Sequence, residues 1–210
     1  MKKIKLDILH KSLELFTKQG VSTVSIRQIA SELGISHSHL IYHFKTKNEL
    51  IEALHSQLLA EAVRLNREPR QHENFVVDLL IQTRKGFTLL YEYRFLMLEL
   101  NLILRENPSL KKTFQEVEKL RAIMYKDAIV QAIDQHIMQR ETYPGEYDTF
   151  IEHIKIFSDS WLASSEIYDA DSKDKIIEKY SLLLVKLFYP YFTAQGREYF
   201  SSLLKKQEEG

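Results

Sequence analysis

Residues 25–47 read SIRQIASELGISHSHLIYHFKTK. Ser25 followed by Gln28 has the form of a capping box, so a helix is expected to open near Ile26. Ile26, Ile29, Ala30 and Leu33 recur at i, i+3, i+4 and i+7 and give that helix one apolar face. Gly34 follows the last periodic residue and can take the left-handed conformation that ends a helix. Ile35 can then pack inward, and Ser36 can cap a second helix expected from about His37 to Phe44. Leu40 and Phe44, one turn apart, face a core; Ser38 and Tyr42, flanked by Ile41 and His39, face away. Thr46 with Glu49 repeats the capping-box pattern and opens a further helix. Helix, glycine turn, helix is the form of a helix-turn-helix, whose second helix can lay its N-terminal residues in a DNA major groove. Many all-α proteins join short helices by a glycine turn without a DNA partner. A helical interaction protein is therefore the alternative reading of the pattern.

Upstream, a helix is expected from about Ile4 to Lys18, with Leu6, Leu9, Leu13 and Phe16 on one face and Gly20 as terminator. Lys2, Lys3 and Lys5 open it, either as phosphate contacts or as a solvated terminus. Downstream, the helix begun at Thr46 is expected to run to about Asn66, with Leu50, Ile51, Leu54, Leu58 and Ala62 as its apolar face.

Residues 4–54 resemble the DNA-binding domain of the tetracycline-repressor (TetR) family of bacterial regulators. The resemblance is carried by Leu13-Glu14-Leu15-Phe16, Gly20, Ser25-Ile26-Arg27-Gln28-Ile29-Ala30, Leu33-Gly34-Ile35-Ser36, Leu40, Tyr42-His43-Phe44, Lys47 and Glu49-Leu50. It implies an all-α protein: a three-helix helix-turn-helix DNA-binding domain at residues 1–47, then a larger helical ligand-binding and dimerisation domain at 48–210. Carried over position by position, it makes His37 and Ser38 base readers, and Tyr42 and Lys47 phosphate grips. Arg27 matches a position that reaches a base or a phosphate in some members. Ser25 and Ser36 are caps that can also meet the DNA backbone. His39 stands where a small hydroxyl residue is usual. Three departures stand out. His37 replaces a frequent Lys or Gln, Ser38 a frequent Gly or Pro, and Ile41 a usual Tyr whose hydroxyl meets phosphate. Imidazole gains charge below about pH 6.5, so His37 and His39 beside a polyanion predict tighter DNA binding as pH falls from about 8 to 6. His43, nearer the inward edge, reads as a packed structural residue.

The whole composition fits a globular chain. Its 210 residues suffice for one or two domains with a real core. Twenty-nine basic and 29 acidic residues cancel, so net charge alone makes no case for nucleic acid. The distribution is more informative. Residues 1–55 hold eight Lys and Arg against five Asp and Glu, a sign that suits a DNA-facing end. There is no cysteine, which excludes a disulfide scaffold and a thiolate metal site. No apolar run reaches the ~18 residues of a membrane span, and no signal-peptide core follows the basic start. A cytoplasmic protein without membrane association is expected. Four prolines, six glycines and no sustained alternation point to long helices.

The polar stretch Asn66 to Asn74, with Pro69, is expected to be a loop. Helices follow at about Glu73–Tyr91, at Phe95–Arg105, and from Ser109 as cap to about Arg140. Tyr143-Pro144-Gly145 is a turn. Phe150, Ile154, Phe157 and Trp161 step by four, three and four along the next helix. Asp169–Asp171 connects to a last long helix, Ile176 to Tyr191, apolar over much of its circumference and ended or kinked by Pro190. A short helix is expected over Ala194–Lys206, with a frayed end at 207–210.

In the resembled family the last two long helices pair with their counterparts in a second subunit. This makes Phe157, Trp161, Tyr180, Leu184, Leu187, Phe188 and Tyr191 dimer-interface candidates. The family also generally holds a ligand inside the later helices. Phe87, Tyr91, Met97, Met124, Tyr125 and Trp161 are candidate lining residues for a small, apolar effector, and ordinary core packing is the alternative for each. His39 and His43 have the i, i+4 spacing of two metal ligands but lack a local acid or cysteine, so no metal is expected. A phosphate-binding glycine loop, a G-x-S-x-G elbow and an H-E-x-x-H motif are all missing, so neither catalysis nor a cofactor is expected. The expected function is a homodimeric transcriptional regulator, a repressor, that binds a palindromic DNA operator under control of a small molecule.

Overall fold

The computed structural model describes residues 2–67 and 74–208. Eleven α-helices lie among the described residues: α1 (Lys2–Gln19), α2 (Ile26–Glu32), α3 (His37–His43), α4 (Lys47–Asn66), α5 (Phe75–Glu92), α6 (Arg94–Leu98), α7 (Leu100–Glu106), α8 (Pro108–Asp134), α9 (Glu146–Tyr168), α10 (Lys173–Leu187) and α11 (Ala194–Glu208). No strand is present among them, and one isolated antiparallel bridge joins Met138 to Phe192. The all-α class read from the sequence is the observed one. The chain forms two compact units, Met1–Arg64 with Leu89–Lys112, and Leu65–Thr88 with Thr113–Gly210.

In the first unit the local signals act as their chemistry dictates. Ser25 Oγ accepts from the Gln28 amide at 3.1 Å and opens α2. Ser36 Oγ accepts from the His39 amide at 3.1 Å and opens α3. Thr46 Oγ1 accepts from the Glu49 amide at 3.1 Å, while the Glu49 carboxylate takes the Lys45 amide at 2.8 Å. Gly34, at φ +65°, supplies the left-handed residue between α2 and α3, and the Ile35 amide returns to the Ala30 carbonyl at 3.0 Å. Ile29, Ala30, Leu40, Phe44, Leu50 and Leu54 are buried.

The buried face of α1 is rotated from the expected one. Ile8, Leu9, Ser12, Leu15 and Phe16 form it, and Leu6 is 48% exposed. Ser12 is completely buried because its hydroxyl donates to the Ile8 carbonyl at 2.7 Å, which removes the cost of hiding it. A count of apolar residues alone passes over such a serine.

The apolar run 95–104 is two short helices rather than one. The chain breaks at Glu99, whose backbone adopts φ −108° and ψ 20° between α6 and α7. The Glu99 carboxylate accepts from the Val21 amide at 2.6 Å and the Ser22 amide at 3.3 Å. Phe16 and Phe95 pack with ring centroids 5.4 Å apart, and both are almost fully buried. Phe16→Ala would therefore destabilise this unit by ~3–5 kcal/mol. The cap of α8 is Asn107, not Ser109: Asn107 Oδ1 accepts from the Leu110 amide at 3.0 Å, and Pro108 takes the first helical position.

In the second unit, α8 stops at Asp134, short of the expected Arg140. His136 takes φ +60°, and the Ile137 and Met138 amides both fold back to the Ala132 carbonyl. The chain then pairs with residues near 192, with the Gln139 amide on the Tyr191 carbonyl at 2.8 Å and the Thr193 amide on the Ile137 carbonyl at 3.0 Å. α9 and α10 pack together. Pro190 falls in a single 3₁₀ turn, Tyr189–Tyr191, after α10. α11 extends to Glu208, beyond the expected Lys206. Most of the expected loop at 66–74 lies outside the described residues. No helix among those described is long and apolar enough to cross a membrane.

Candidate nucleic-acid interface

The side chains of α3 divide as its pattern requires. Leu40 is fully buried, Ile41 half-buried, and His37, Ser38, His39 and Tyr42 are exposed, Tyr42 by 74%. Four polar or aromatic groups thus share the outer surface of a two-turn helix whose N-terminus is fixed by Ser36. The Ser36 and Ser38 hydroxyls lie 3.0 Å apart. The His39 and His43 rings are 5.4 Å apart, and Tyr42 meets His43 edge-on at 5.1 Å. Partial burial of the His43 ring, with the His39 and Lys5 charges nearby, holds its pKa below the ordinary histidine value. His43 thus resists taking up a proton.

Ser25 and Arg27 are exposed at the start of α2. Gln28 Nε2 donates to Gln19 Oε1 at 2.9 Å and ties α2 to the end of α1. Lys47 has a further task that its motif position does not reveal. It is half-buried, and its ammonium donates to the Val21 carbonyl at 2.6 Å. The lysine tethers the α1–α2 turn while two of its N–H bonds stay available. Lys5, one of three lysines in the basic terminus, lies over the Phe44 ring at 5.6 Å, a cation at the edge of this surface. Among the described residues, no group of three or more His, Asp or Glu side chains is arranged to hold a metal ion.

The effector candidates fall into both units. Tyr91 and Met97 lie in the first, where the Arg94 guanidinium sits over the Tyr91 ring at 4.6 Å. Phe87, Met124, Tyr125 and Trp161 lie in the second. Phe87 and Trp161 stack almost in parallel, with centroids 4.4 Å apart and an interplanar angle of 9°. Phe157 and Tyr180 extend the cluster, at 6.4 Å from Phe87 and 5.5 Å from Trp161 respectively. Trp161 is 2% exposed, and its indole N–H has no hydrogen-bond partner. Met124 is half exposed, apart from this core. Arg121, near Tyr125, pairs with Glu118 at 3.1 Å and Asp159 at 3.9 Å. Burial raises the pKa of both carboxyls, against the pull of that guanidinium.

Of the dimer candidates, Trp161, Tyr180, Leu184 and Phe188 are buried within the single chain. Phe157, Leu187 and Tyr191 are partly covered. The Tyr180 hydroxyl donates to Asp169 Oδ2 at 2.9 Å and Ser164 Oγ at 3.1 Å. The outward apolar residues are others. Ile156, Ala163 and Ile167 lie along one exposed stripe of α9 with Ser160, and Leu183 lies on α10. Their signal was present in the spacing 156, 160, 163, 167, but the two small residues made it faint.

Two family models match the chain. One, described as bacterial regulatory proteins of the tetR family, covers residues 8–54. The other, TetR, described as a bacterial transcriptional repressor, covers residues 56–200. The HTH-type transcriptional regulator AcrR of Shigella flexneri is 23% identical over 173 residues, which are 77% of this chain and 80% of that protein. The class A tetracycline repressor of transposon 1721, from Escherichia coli, is 29% identical over 87 residues, 41% of this chain and 40% of that protein. A TetR-family regulator from Marinobacter aquaeolei VT8 superposes with a TM-score of 0.85 at 22% identity, covering 96% of this chain and 97% of its own. A regulator from Saccharomonospora viridis, solved in complex with choline, superposes with a TM-score of 0.74 at 17% identity, covering 91% and 98%. At these identities the structural likeness is one of fold.

Proposed function

The chain belongs to the TetR family of bacterial transcriptional regulators, DNA-binding proteins that are usually repressors, and on that premise we propose that it represses from a palindromic operator as a homodimer that yields to a small, largely apolar effector. Residues 1–47 form the reading head, and residues 48–210 the effector and dimerisation part of a cytoplasmic protein. The observation that carries the DNA reading is the outer face of α3. His37, Ser38, His39 and Tyr42 are exposed together on a capped helix whose opposite side, at Leu40, is locked into a core. His37 and Ser38 read bases from the N-terminal end; Tyr42 and Lys47 hold phosphates; Arg27 and the capping serines complete the backbone contacts.

Dimerisation rests on α9 and α10. Trp161, Tyr180, Leu184 and Phe188 are buried in the protomer core, which favours a supporting role behind the interface. The contact itself falls to Ile156, Ser160, Ala163, Ile167 and Leu183, where the small residues allow close approach of a second helix. The effector contacts the aromatic cluster at Phe87 and Trp161, whose unpaired indole N–H supplies a polar anchor.

The test is selection of random duplex DNA by the purified protein near pH 7 at two salt concentrations. Recovery of an inverted repeat supports a dimeric regulator, and its affinity is expected to rise from about pH 8 to 6 at constant salt. If the folded protein enriches no sequence at either salt, the helical interaction-protein reading replaces this one.

A further inference from the structure

Glu99 is the only charged residue between Phe95 and Leu104. The helix breaks at this residue, and its carboxylate sits on the turn between α1 and α2. One carboxylate oxygen accepts from the Val21 amide at 2.6 Å and the other faces the Ser22 amide at 3.3 Å. The turn is shaped for this approach. Gly20 has φ +83°, and a Cβ there would stand 2.9 Å from Glu99 Oε1. On the opposite side of the same residue, the Val21 carbonyl accepts from the Lys47 ammonium at 2.6 Å. Val21 is therefore held through its N–H by an anion and through its C=O by a cation. Phe16, five residues before Val21, packs on Phe95, four residues before Glu99. At the far end of α7, Asn48 Nδ2 donates to the Glu106 carbonyl at 3.2 Å.

The geometry assigns Glu99 as the positioning residue through which residues 94–106 set the orientation of the helix-turn-helix, an inference that rests on the DNA-regulator reading above. The α1–α2 turn leads into Ser25, the cap of α2, and α2 carries α3 through the Gly34 turn. Fixing the turn fixes the recognition helix. The contact is charge-assisted and uses both carboxylate oxygens as acceptors. Water can satisfy the two amides once the carboxylate leaves, but water imposes no direction on the head. A glutamine can accept from one amide and sets its own N–H₂ against the other. Its shape is conserved and its function is not.

For a dimer with two heads, loose orientation has a readout that lost stability lacks. A rigid head accepts one separation of half-sites, whereas a head free to pivot accepts several. The experiment uses the full-length protein and Glu99→Ala and Glu99→Gln variants. Random duplexes are selected, and then affinity is measured for the best inverted repeat and for versions with one or two base pairs added or removed between half-sites. Urea midpoints establish that each variant is folded. Both variants are expected to bind the best-spaced operator about tenfold more weakly, and to lose most of the wild type's preference for that spacing. Gly20→Ala, which pushes a methyl group into the carboxylate, is expected to relax spacing likewise in the wild type and to add little on top of Glu99→Ala. If affinity falls in the Glu99 variants with the spacing preference intact, or if neither changes, the positioning role is overturned and Glu99 is only a structural contact. If the wild type itself selects no inverted repeat, the DNA-regulator reading fails and the inference falls with it.

Discussion

His55 lies inside α4 among Leu50, Ile51, Leu54 and Leu58, and is 3% exposed. Burial holds its pKa below the ordinary histidine value. The sign of the consequence is fixed. In the unfolded chain this ring takes up a proton as pH falls through about 6.5, while in the folded chain it resists doing so. The folded state thus keeps its full stability above that pH and loses it below, until the depressed folded value is reached. His55→Gln is expected to flatten the fall in urea midpoint between about pH 7.5 and 5, where one proton carries at most ~1.4 kcal/mol per pH unit. Equal slopes in variant and wild type would contradict this. Ser36 offers a second test. Its hydroxyl satisfies the His39 amide, so Ser36→Ala should lower stability by ~1 kcal/mol in chemical denaturation. It should weaken DNA binding as well, because the same cap aims the start of α3.

An element can be read from sequence when its signals are local. Each serine or threonine cap in residues 25–49 lies three residues from the amide it serves, and the glycine lies in the turn that it permits, so α2, α3 and the start of α4 were legible almost to the residue. The break at Glu99 was not. No glycine or proline marks it, and its cause is a turn 77 and 78 residues away. The end of α8 was hidden for the same reason: residues 137–139 leave the helix to pair with a segment more than fifty positions later. The proposed interface face of α9 illustrates a different limit. Large apolar residues drew attention to Trp161 and Tyr180, yet in a helix that packs on two sides the largest groups fill the protomer and smaller ones are left outside. Ile167, 69% exposed, tests the assignment. Ile167→Glu should preserve the helical content and shift the protein toward monomer in sedimentation. An unchanged sedimentation coefficient would place the contact elsewhere.

At the scale of the whole molecule, charge balance and DNA binding have to be reconciled. Net charge is zero and the isoelectric point about 7.1, so long-range steering by the whole protein is weak near neutrality. At the proposed interface, affinity then depends on local cations, among them Lys3, Lys5, Arg27 and Lys47. The logarithm of affinity should still fall steeply with the logarithm of salt, by about 0.9 for each phosphate neutralised, and Arg27→Ala should reduce that slope by roughly one if it meets the backbone. A flat salt response would remove the DNA interface altogether. Near neutral pH and low ionic strength the same balance favours self-association, so moderate salt should keep the free protein dispersed.

Trp161 is the only tryptophan in the chain, and it lies stacked on Phe87 with its indole N–H unpaired. The protein therefore carries one tryptophan fluorophore, seated in the aromatic cluster and shielded from water, and excitation at the red edge separates it from the eleven tyrosines. Its emission reports on a single location without any label. A molecule that slips between the rings or bonds to the indole N–H is expected to change the colour or intensity of that emission. A titration of candidate effectors read at that one residue then tests the proposed aromatic site directly.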